Sequence, residues 1–112
     1  MEPLQPTVID TKVISAEHPE DYFNTILSSL NDHIVRIGIM TEAYFWHLHP
    51  HSDETFLVLE GTLLIDLETG TLELQPGQLL TIPQNTRHRT RPGGERSVNL
   101  TIEHKHTETV MG

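Results

Sequence analysis

The sequence of 112 residues has no cysteine, few basic residues and no long apolar run. Without cysteine there are no disulfides, no thiolate metal ligands and no cysteine nucleophiles. No apolar stretch approaches the roughly 18 residues that a membrane-spanning helix requires, so the membrane is not expected as a partner. The sequence also lacks the G-x-S-x-G pattern of serine hydrolases and a glycine-rich phosphate-binding loop. These absences leave imidazole and carboxylate groups as the candidates for chemistry.

Acidic residues outnumber basic residues by 16 to 7, which leaves a formal net charge of −9. Nucleic acids and anionic membrane surfaces are therefore not expected as partners, because both are bound mainly through lysine and arginine. The opening MEPLQPTVID shows no basic segment followed by an apolar stretch, so we predict no signal peptide and a cytoplasmic location. The length suits a single domain, and eight histidines are many for a chain of this size.

The N-terminal part predicts a short strand and a helix. Residues 8–14 alternate loosely between apolar and polar types, which is typical of a strand. Over residues 17–30 the apolar side chains recur at helical spacing, which predicts a helix with Ser15 as its N-cap and Pro19 near its first turn. The side chains that carry this spacing are Tyr22, Phe23, Ile26, Leu27 and Leu30.

From residue 33 onward the apolar period changes to two, which is typical of strands. The strand-like segments are HIVRIGIM, AYFWHLH, TFLVLEG, the hairpin TLLIDLETGTLELQPG with its turn at residues 68–70, GQLLTIP and RSVNLTIEH. About seven or eight short strands separated by glycine and proline predict an all-β fold, either a sandwich or a small barrel. We expect this barrel over residues 33–112, with the strand and helix of residues 1–32 packed on it.

Two of these segments, HIVRIGIM and TFLVLEG, are apolar on both faces. One face can fill the barrel, and the other must be covered by the early helix, by another sheet or by a second subunit. Because the apolar surface exceeds what one small barrel can bury, we expect a homodimer.

Three histidines and one glutamate have a spacing that suits a metal ion. His47 and His49 lie two residues apart on a predicted strand, so their rings point to the same face. Pro50 begins a turn, and Glu54 begins the returning strand, from which it can face both rings. His88 follows a later apolar strand and is the natural fourth member. Imidazole and carboxylate bind borderline divalent metals such as zinc, iron, nickel and manganese.

Apolar side chains that share the alternation of these four residues are expected to line a substrate pocket. Phe45 has the parity of His47, and two residues of the next strand have the parity of Glu54. These two residues are Phe56 and Val58.

His51 has a separate claim to function. It is expected at the mouth of the barrel, where it can serve as a catalytic acid or base or simply be solvated. A second interpretation combines His51 and Asp53 with His88 as a two-histidine, one-carboxylate iron site. Pairing His49 with His51 instead leaves two residues before Glu54, which is too few for a comfortable chain reversal.

Four of the seven basic residues lie close to His88 in the sequence: Arg87, Arg89, Arg91 and Arg96. They can form an anion-binding clamp beside the metal, or a solvated strand edge on which arginine pairs with acidic residues. Strand alternation favours the second interpretation, because an inward His88 sends its two neighbours outward. His104 and His106 can likewise form a second metal site or lie in a solvated tail, and we favour the tail.

The spacing His47-x-His49-x4-Glu54-x6-Gly61 resembles the first motif of the cupin family. Gly77-x5-Pro83 followed by His88 resembles the second motif, with Asn85 at a position where the family usually has glycine. Asparagine also tolerates left-handed backbone conformations, so the turn is expected to survive. The likeness covers about residues 33–103 and is strongest to small single-domain cupins of the mannose-6-phosphate-isomerase-like type.

The resemblance implies a double-stranded β-helix, or jelly-roll barrel, that is usually dimeric and holds a divalent metal. Carried over residue by residue, the ligands are His47, His49, Glu54 and His88. The metal can be iron, manganese, zinc or nickel. The alternative is a barrel that keeps these residues without metal.

The resemblance points to a metal-dependent enzyme that acts on a small polar organic molecule, either a dioxygenase or a sugar or keto-acid isomerase. The alternative is a non-catalytic module that binds or senses a small ligand. An apolar pocket beyond the ligands would favour binding or redox chemistry on an aromatic molecule. Polar groups that reach the open side of the metal would favour isomerisation.

Overall fold

The computed structural model describes residues 5–20 and 22–112, so the first four residues of the predicted N-terminal unit and Asp21 of the predicted helix lie outside the described residues. The described residues form one short helix and ten strands. They are α1 (Thr11–Glu17), β1 (Phe23–Leu30), β2 (His33–Met40), β3 (His47–Leu48), β4 (Glu54–Glu60), β5 (Leu63–Leu67), β6 (Gly70–Leu74), β7 (Leu79–Ile82), β8 (His88–Pro92), β9 (Ser97–His104) and β10 (Val110–Met111).

The strands form two antiparallel five-stranded sheets. The first has the order β1-β2-β9-β4-β7 and the second has the order β10-β3-β8-β5-β6. After β2, sequential strands alternate between the sheets except for the β5–β6 hairpin, which is the arrangement of a jelly-roll barrel. The predicted all-β jelly roll with one short N-terminal helix is therefore confirmed. In the part of the chain that the structure describes, no helix is long and apolar enough to cross a membrane.

The predicted positions of the first strand and of the helix are wrong. Residues 11–17 are helical, and Asp10 is the N-cap, because its side chain accepts hydrogen bonds from the backbone N–H groups of Lys12 and Val13. The predicted cap, Ser15, lies inside this helix. The larger part of the segment that was predicted as a helix, Phe23–Leu30, forms the eight-residue strand β1 at the edge of the first sheet.

The misassigned segment is a strand because it is the first arm of a hairpin. Leu30 pairs with His33 across a two-residue turn, and Asn31 has a positive φ of 50° there. Asparagine tolerates this left-handed conformation, and the pairing with β2 that the turn allows overrides the apparent helical spacing. A register shift between Ile26 and Ser28 disturbs the strict alternation of β1, which hides the strand from a period-two pattern.

The later strands match the sequence pattern closely, with two exceptions. The β5–β6 hairpin turns at residues 68–69, as the pattern predicts. The predicted strand at residues 43–49 is shorter than expected, because only His47–Leu48 forms a ladder. Strands β8 and β10 were not predicted, since neither the HRTRP segment nor the chain end shows apolar alternation.

Apolar side chains form two clusters on opposite faces of the first sheet. The inner cluster lies between the two sheets and consists of Met40, Phe56, Val58, Leu63, Ile65, Leu74 and Ile82. The outer cluster centres on Ile37, Ile39 and Val98, and Ile14 of helix α1 packs against it. The first sheet can therefore be apolar on both faces, because helix α1 covers part of its outer face.

Two turn residues at motif positions have a clear backbone requirement. Gly61 follows β4 with a φ of +71°, and a Cβ there would lie 2.3 Å from the carbonyl oxygen of Arg96. A backbone atom cannot move aside cheaply, so this position requires glycine. Asn85 has a φ of 64°, which confirms that asparagine supports the left-handed turn before β8.

Candidate metal centre

Four buried side chains from three strands converge inside the barrel. His47 lies on β3 and is the direct cross-strand partner of His88 on β8. His49 follows β3 immediately, and Glu54 begins β4 in the opposite sheet. One ligand atom from each of the four side chains lies within 4.8 Å of all the others. The tertiary structure therefore brings together the four residues that the sequence spacing singled out.

Each of the three rings is fixed by a hydrogen bond to a backbone carbonyl. The Nδ1 atom of His47 lies 2.7 Å from the carbonyl of Phe45, and that of His88 lies 2.8 Å from the carbonyl of Thr86. The Nδ1 atom of His49 lies 2.9 Å from the carbonyl of Glu108. A carbonyl oxygen can only accept, so Nδ1 carries the proton in all three rings and Nε2 keeps a free lone pair. This arrangement orients imidazole for metal binding.

The atoms at the centre of the cluster lack hydrogen-bond partners. Nε2 of His49 and Nε2 of His88 lie 3.3 Å and 3.4 Å from Oε1 of Glu54, and among the described residues none of these three atoms has a hydrogen bond. In neutral rings with the proton on Nδ1, these contacts place lone pairs against a carboxylate oxygen. Such a buried arrangement is costly unless a cation or extra protons lie between the atoms. The donor set, its burial and its unpartnered atoms fit a divalent metal ion.

The electrostatics of the cluster keep its carboxylate ionised. Burial alone would raise the pKa of Glu54, but the neighbouring rings of His49 and His88 outweigh it and lower that pKa to about 2. Burial also opposes a charged ring at His49, yet Glu54 and the carbonyl of Glu108 raise the pKa of His49 overall. At His47 burial prevails and lowers the pKa. One anionic and at least one neutral ligand are thus available near neutral pH.

The cluster opens into a cavity of about 310 Å³, which lies at the small end of the range for ligand pockets. Two of the three pocket residues expected from the sequence do not line it. Phe45 is 68% exposed on the surface, because the chain around it is not in a strand and does not alternate. Val58 is fully buried in the inner cluster. Only Phe56 belongs to the cavity wall, together with polar side chains.

His51 does not reach this cavity. The residue lies in the turn after β3 and is exposed, and it is not among the side chains that line the cavity. The structure therefore does not bring it to the four-residue cluster. The ionisable cavity-lining side chains outside the cluster are instead Tyr22, Arg36, Tyr44 and Glu103.

A polar wall beside the cluster was not predicted from the sequence. Arg36 on β2 donates through Nε to Oε1 of Glu103 at 3.2 Å and through Nη1 to Oδ1 of Asn24 at 3.1 Å. Burial and the nearby charge of Glu54 raise the pKa of Glu103. Asn99 on β9 is 3% exposed and also lines the cavity. The signal was the alternation in RSVNLTIEH, whose polar positions face the interior.

The arginines around His88 are structural partners on the outside of the barrel. Arg89 and Arg91 both donate to the buried carboxylate of Asp66, at 2.9 Å and 2.8 Å. Arg87 stacks over Trp46 with 4.6 Å between its guanidinium carbon and the ring centroid. The predicted outward direction of Arg87 and Arg89 is confirmed. The expected strand edge is wrong, since β8 lies inside the second sheet.

The C-terminal segment is largely exposed, as expected for His106, but it also contributes to the cavity wall. Thr107 and Thr109 line the cavity, and the carbonyl of Glu108 holds the ring of His49. The neighbouring His104 is half-buried on β9, and its Nδ1 accepts a hydrogen bond from the backbone N–H of His106. A polar C-terminal segment carries no periodic signal, so the sequence did not reveal this role.

The fold and the converging residues agree with a comparison against protein families. The model described as "Cupin domain" matches residues 37–102, which include all four members of the cluster. The chain belongs to the cupin family. The cupin barrel accounts for the two five-stranded sheets and for a polar cluster inside the barrel.

Three proteins show how close the likeness is. The chain is 48% identical over 99 residues to protein YdbB of Bacillus subtilis, covering 88% of this chain and 87% of YdbB. It is 31% identical over 107 residues to the polyketide synthase CurC of Streptomyces cyaneus, covering 89% and 70% of the two chains. The structure of a cupin-2 domain protein from Shewanella frigidimarina is similar with a TM-score of 0.80 and 26% identity, over 88% of this chain and 95% of that chain.

Proposed function

We propose that this cupin is a metal-dependent enzyme of the isomerase type that acts on a small polar molecule. The ligands of its divalent metal are His47, His49, Glu54 and His88. The observation that carries this proposal is the set of free Nε2 lone pairs around one buried carboxylate, fixed by three Nδ1–carbonyl hydrogen bonds. A centre of this kind would otherwise bury unpartnered polar atoms at considerable cost.

The polar cavity favours isomerisation over oxygen chemistry on an aromatic substrate. A bound divalent metal supplies a Lewis acid that polarises a carbonyl or hydroxyl group. The chain supplies Arg36, Glu103 and Asn99 on the wall around it, where they can bind and orient polar groups of a substrate. The aromatic side chains of the wall are Phe56, Tyr22 and Tyr44, and the two tyrosines add polar hydroxyl groups to it.

The metal assignment is tested by elemental analysis of protein purified without chelator or added metal. We expect about one divalent ion per chain in the wild type and a loss of most of it in His88→Ala and Glu54→Ala. The matched control is His51→Ala, which removes an exposed imidazole from the turn between β3 and β4. This variant should retain the metal. Unchanged occupancy in both cluster variants, with circular dichroism like that of the wild type, would contradict the assignment.

The reaction type is tested on the metal-loaded protein. We expect the protein to isomerise hydroxylated aldehydes, ketones or keto acids. Nuclear magnetic resonance spectra recorded in deuterated water detect this activity, because the substrate exchanges a proton with the solvent. Uptake of oxygen with an aromatic or keto-acid substrate would instead support the dioxygenase alternative. Tight ligand binding with no turnover would support a non-catalytic binding module.

We also propose that the protein is a homodimer, as its apolar surface suggests. The outer face of the first sheet keeps half-buried or exposed apolar side chains beyond the part that α1 covers. They are Val35, Leu57, Leu79, Leu100 and Ile102. The cytoplasmic location stays a prediction.

A further inference from the structure

Strand β9 presents a row of polar side chains to the cavity. Asn99, Thr101 and Glu103 are every second residue of this strand, so they share a face, and all three line the cavity. The four residue steps from Asn99 to Glu103 span roughly 13 Å at about 3.3 Å per step. The side of a barrel strand that faces the interior usually carries apolar side chains. In β9 the apolar residues Val98, Leu100 and Ile102 face outward instead.

The amide oxygen of Asn99 has no hydrogen-bond partner in the described part of the chain. Its side chain is 3% exposed, and its Oδ1 is buried without a hydrogen bond. A buried amide oxygen without a partner costs free energy, and because Asn99 lines the cavity, a donor on a ligand bound there would complete it. The amide is aimed at the cavity that the metal cluster shares.

A gap beside Asn99 is created by a glycine. A Cβ on Gly38 would lie 3.5 Å from Nδ2 of Asn99 and 3.5 Å from Nδ2 of Asn24, so the two amides flank this position from either side. Any side chain longer than a methyl group would enter the space between them. Gly38 thus keeps open a polar recess in the wall of the cavity.

The recess continues into a charge pair. Arg36 is held by both Glu103 and Asn24, which fixes its guanidinium on the same wall. The wall therefore offers donors from the guanidinium and the amides, and acceptors from the carboxylate and the amide oxygens, at closely spaced positions. Its two formal charges cancel.

We propose that this wall is a binding subsite for an acyclic polyhydroxylated chain, such as a sugar acid. Each hydroxyl both donates and accepts, which matches a wall that offers both donors and acceptors, whereas an aliphatic chain would leave the amide oxygen of Asn99 unpaired. The inference rests on the proposed function, because the carboxylate or carbonyl end of such a ligand lies at the metal centre. The subsite residues are Asn24, Arg36, Gly38, Asn99 and Glu103.

Calorimetric titration with two six-carbon acids tests the subsite. Gluconate carries hydroxyls along its chain, and hexanoate carries none. The protein is loaded with the divalent ion that it retains in the elemental analysis. We expect wild-type protein to bind gluconate at least about tenfold more tightly than hexanoate.

Two variants act on the recess without touching a metal ligand. Asn99→Leu removes the amide at similar volume, and Gly38→Val fills the gap between the two amides. Each should reduce the preference for gluconate at least about fivefold and leave metal content unchanged. The control Asn31→Gly removes an amide from an exposed turn, where its positive φ of 50° suits glycine, and should bind gluconate as the wild type does.

The outcomes separate the two proposals. Wild-type protein that takes up no metal overturns the proposed function and, with it, this inference. Metal-loaded wild type that binds the two acids equally overturns the subsite alone. Retention of the full gluconate preference in metal-loaded Gly38→Val also overturns the subsite. If Asn99→Leu does not fold, Gly38→Val alone still tests the subsite.

Discussion

At the scale of single residues, buried polar groups in this protein fall into two kinds. Asp66 is fully partnered, since Arg89, Arg91 and Thr71 all donate to it. Glu54 and Asn99 instead keep buried oxygen atoms without a partner in the described chain. The partnered carboxylate of Asp66 stabilises the barrel, whereas the unpartnered oxygens of Glu54 and Asn99 both face the cavity, where a bound metal or ligand would complete them.

We predict that Asp66→Asn destabilises the protein near neutral pH by about 2 kcal/mol, the size expected for charge-assisted hydrogen bonds. The hydrogen bond from Arg91, with those from Thr71 and Arg89, outweighs burial and holds the pKa of Asp66 well below its usual value. A lowered pKa stabilises the fold above the unfolded-state pKa of about 4 and loses that effect as pH falls through the folded-state pKa.

Urea unfolding of both proteins at several pH values measures this difference. It should be constant above about pH 5 and shrink progressively below about pH 4. Asp32→Asn is the control. Asp32 is exposed, and its ion pair with Lys105 is long at 3.9 Å, so this substitution should change stability little. A difference that does not depend on pH would contradict the role of ionised Asp66.

At the scale of elements, the metal centre depends on a segment at the far end of the chain. β10 pairs with β3, with Met111 opposite His47 and Val110 opposite Leu48. Just before β10, the carbonyl of Glu108 fixes the ring of His49. An edge strand of two residues therefore positions one of the ligands through the backbone, and it also places Thr109 on the cavity wall.

We predict that Met111→Pro weakens metal binding about tenfold, the lower end of what loss of a group that orients a ligand causes. Proline removes a backbone donor and detaches β10, so the carbonyl of Glu108 no longer orients His49. Transfer of the ion to a competing chelator measures the affinity. Met111→Val keeps strand propensity and should behave as wild type, and equal affinity in the proline variant would refute this role.

At the scale of the whole molecule, the fold sorts apolar residues to two faces of the first sheet. The inner face packs against the second sheet, and the outer face is covered by α1 only in part. Ile102 is 37% exposed and Leu79 is 62% exposed on the uncovered part. Contiguous exposed apolar surface of this kind is typical of an interface between subunits.

We predict that the double substitution Leu79→Glu and Ile102→Glu converts a dimer into a monomer, because charge in an apolar interface is desolvated without a partner. Light scattering after size-exclusion chromatography should give about twice the chain mass of 12.7 kDa for the wild type and that mass for the variant. Leu72→Glu, on the second sheet, is the control for added surface charge. A monomeric wild type would rule out the dimer.

The local pattern of the sequence was enough to predict most strands, an all-β sandwich or barrel and the four converging residues, and the resemblance to cupins implied the jelly roll. Alternation decides which side chains share a face, and His47, His49 and Glu54 are close in sequence. The apparent helical period at residues 17–30 predicted a helix where most of the segment is a strand, because a two-residue turn and a register shift outweighed that period. It also misplaced Phe45, which lies outside the short strand β3.

Only the tertiary structure decided what surrounds the cluster. Arg36, Glu103 and Asn24 meet because β1, β2 and β9 are adjacent in the sheet, although they are far apart along the chain. The polar side of β9 faces inward because helix α1 and the outer apolar cluster take up its apolar side. A sequence shows that two faces of a strand differ, but burial of one face depends on which elements pack against it.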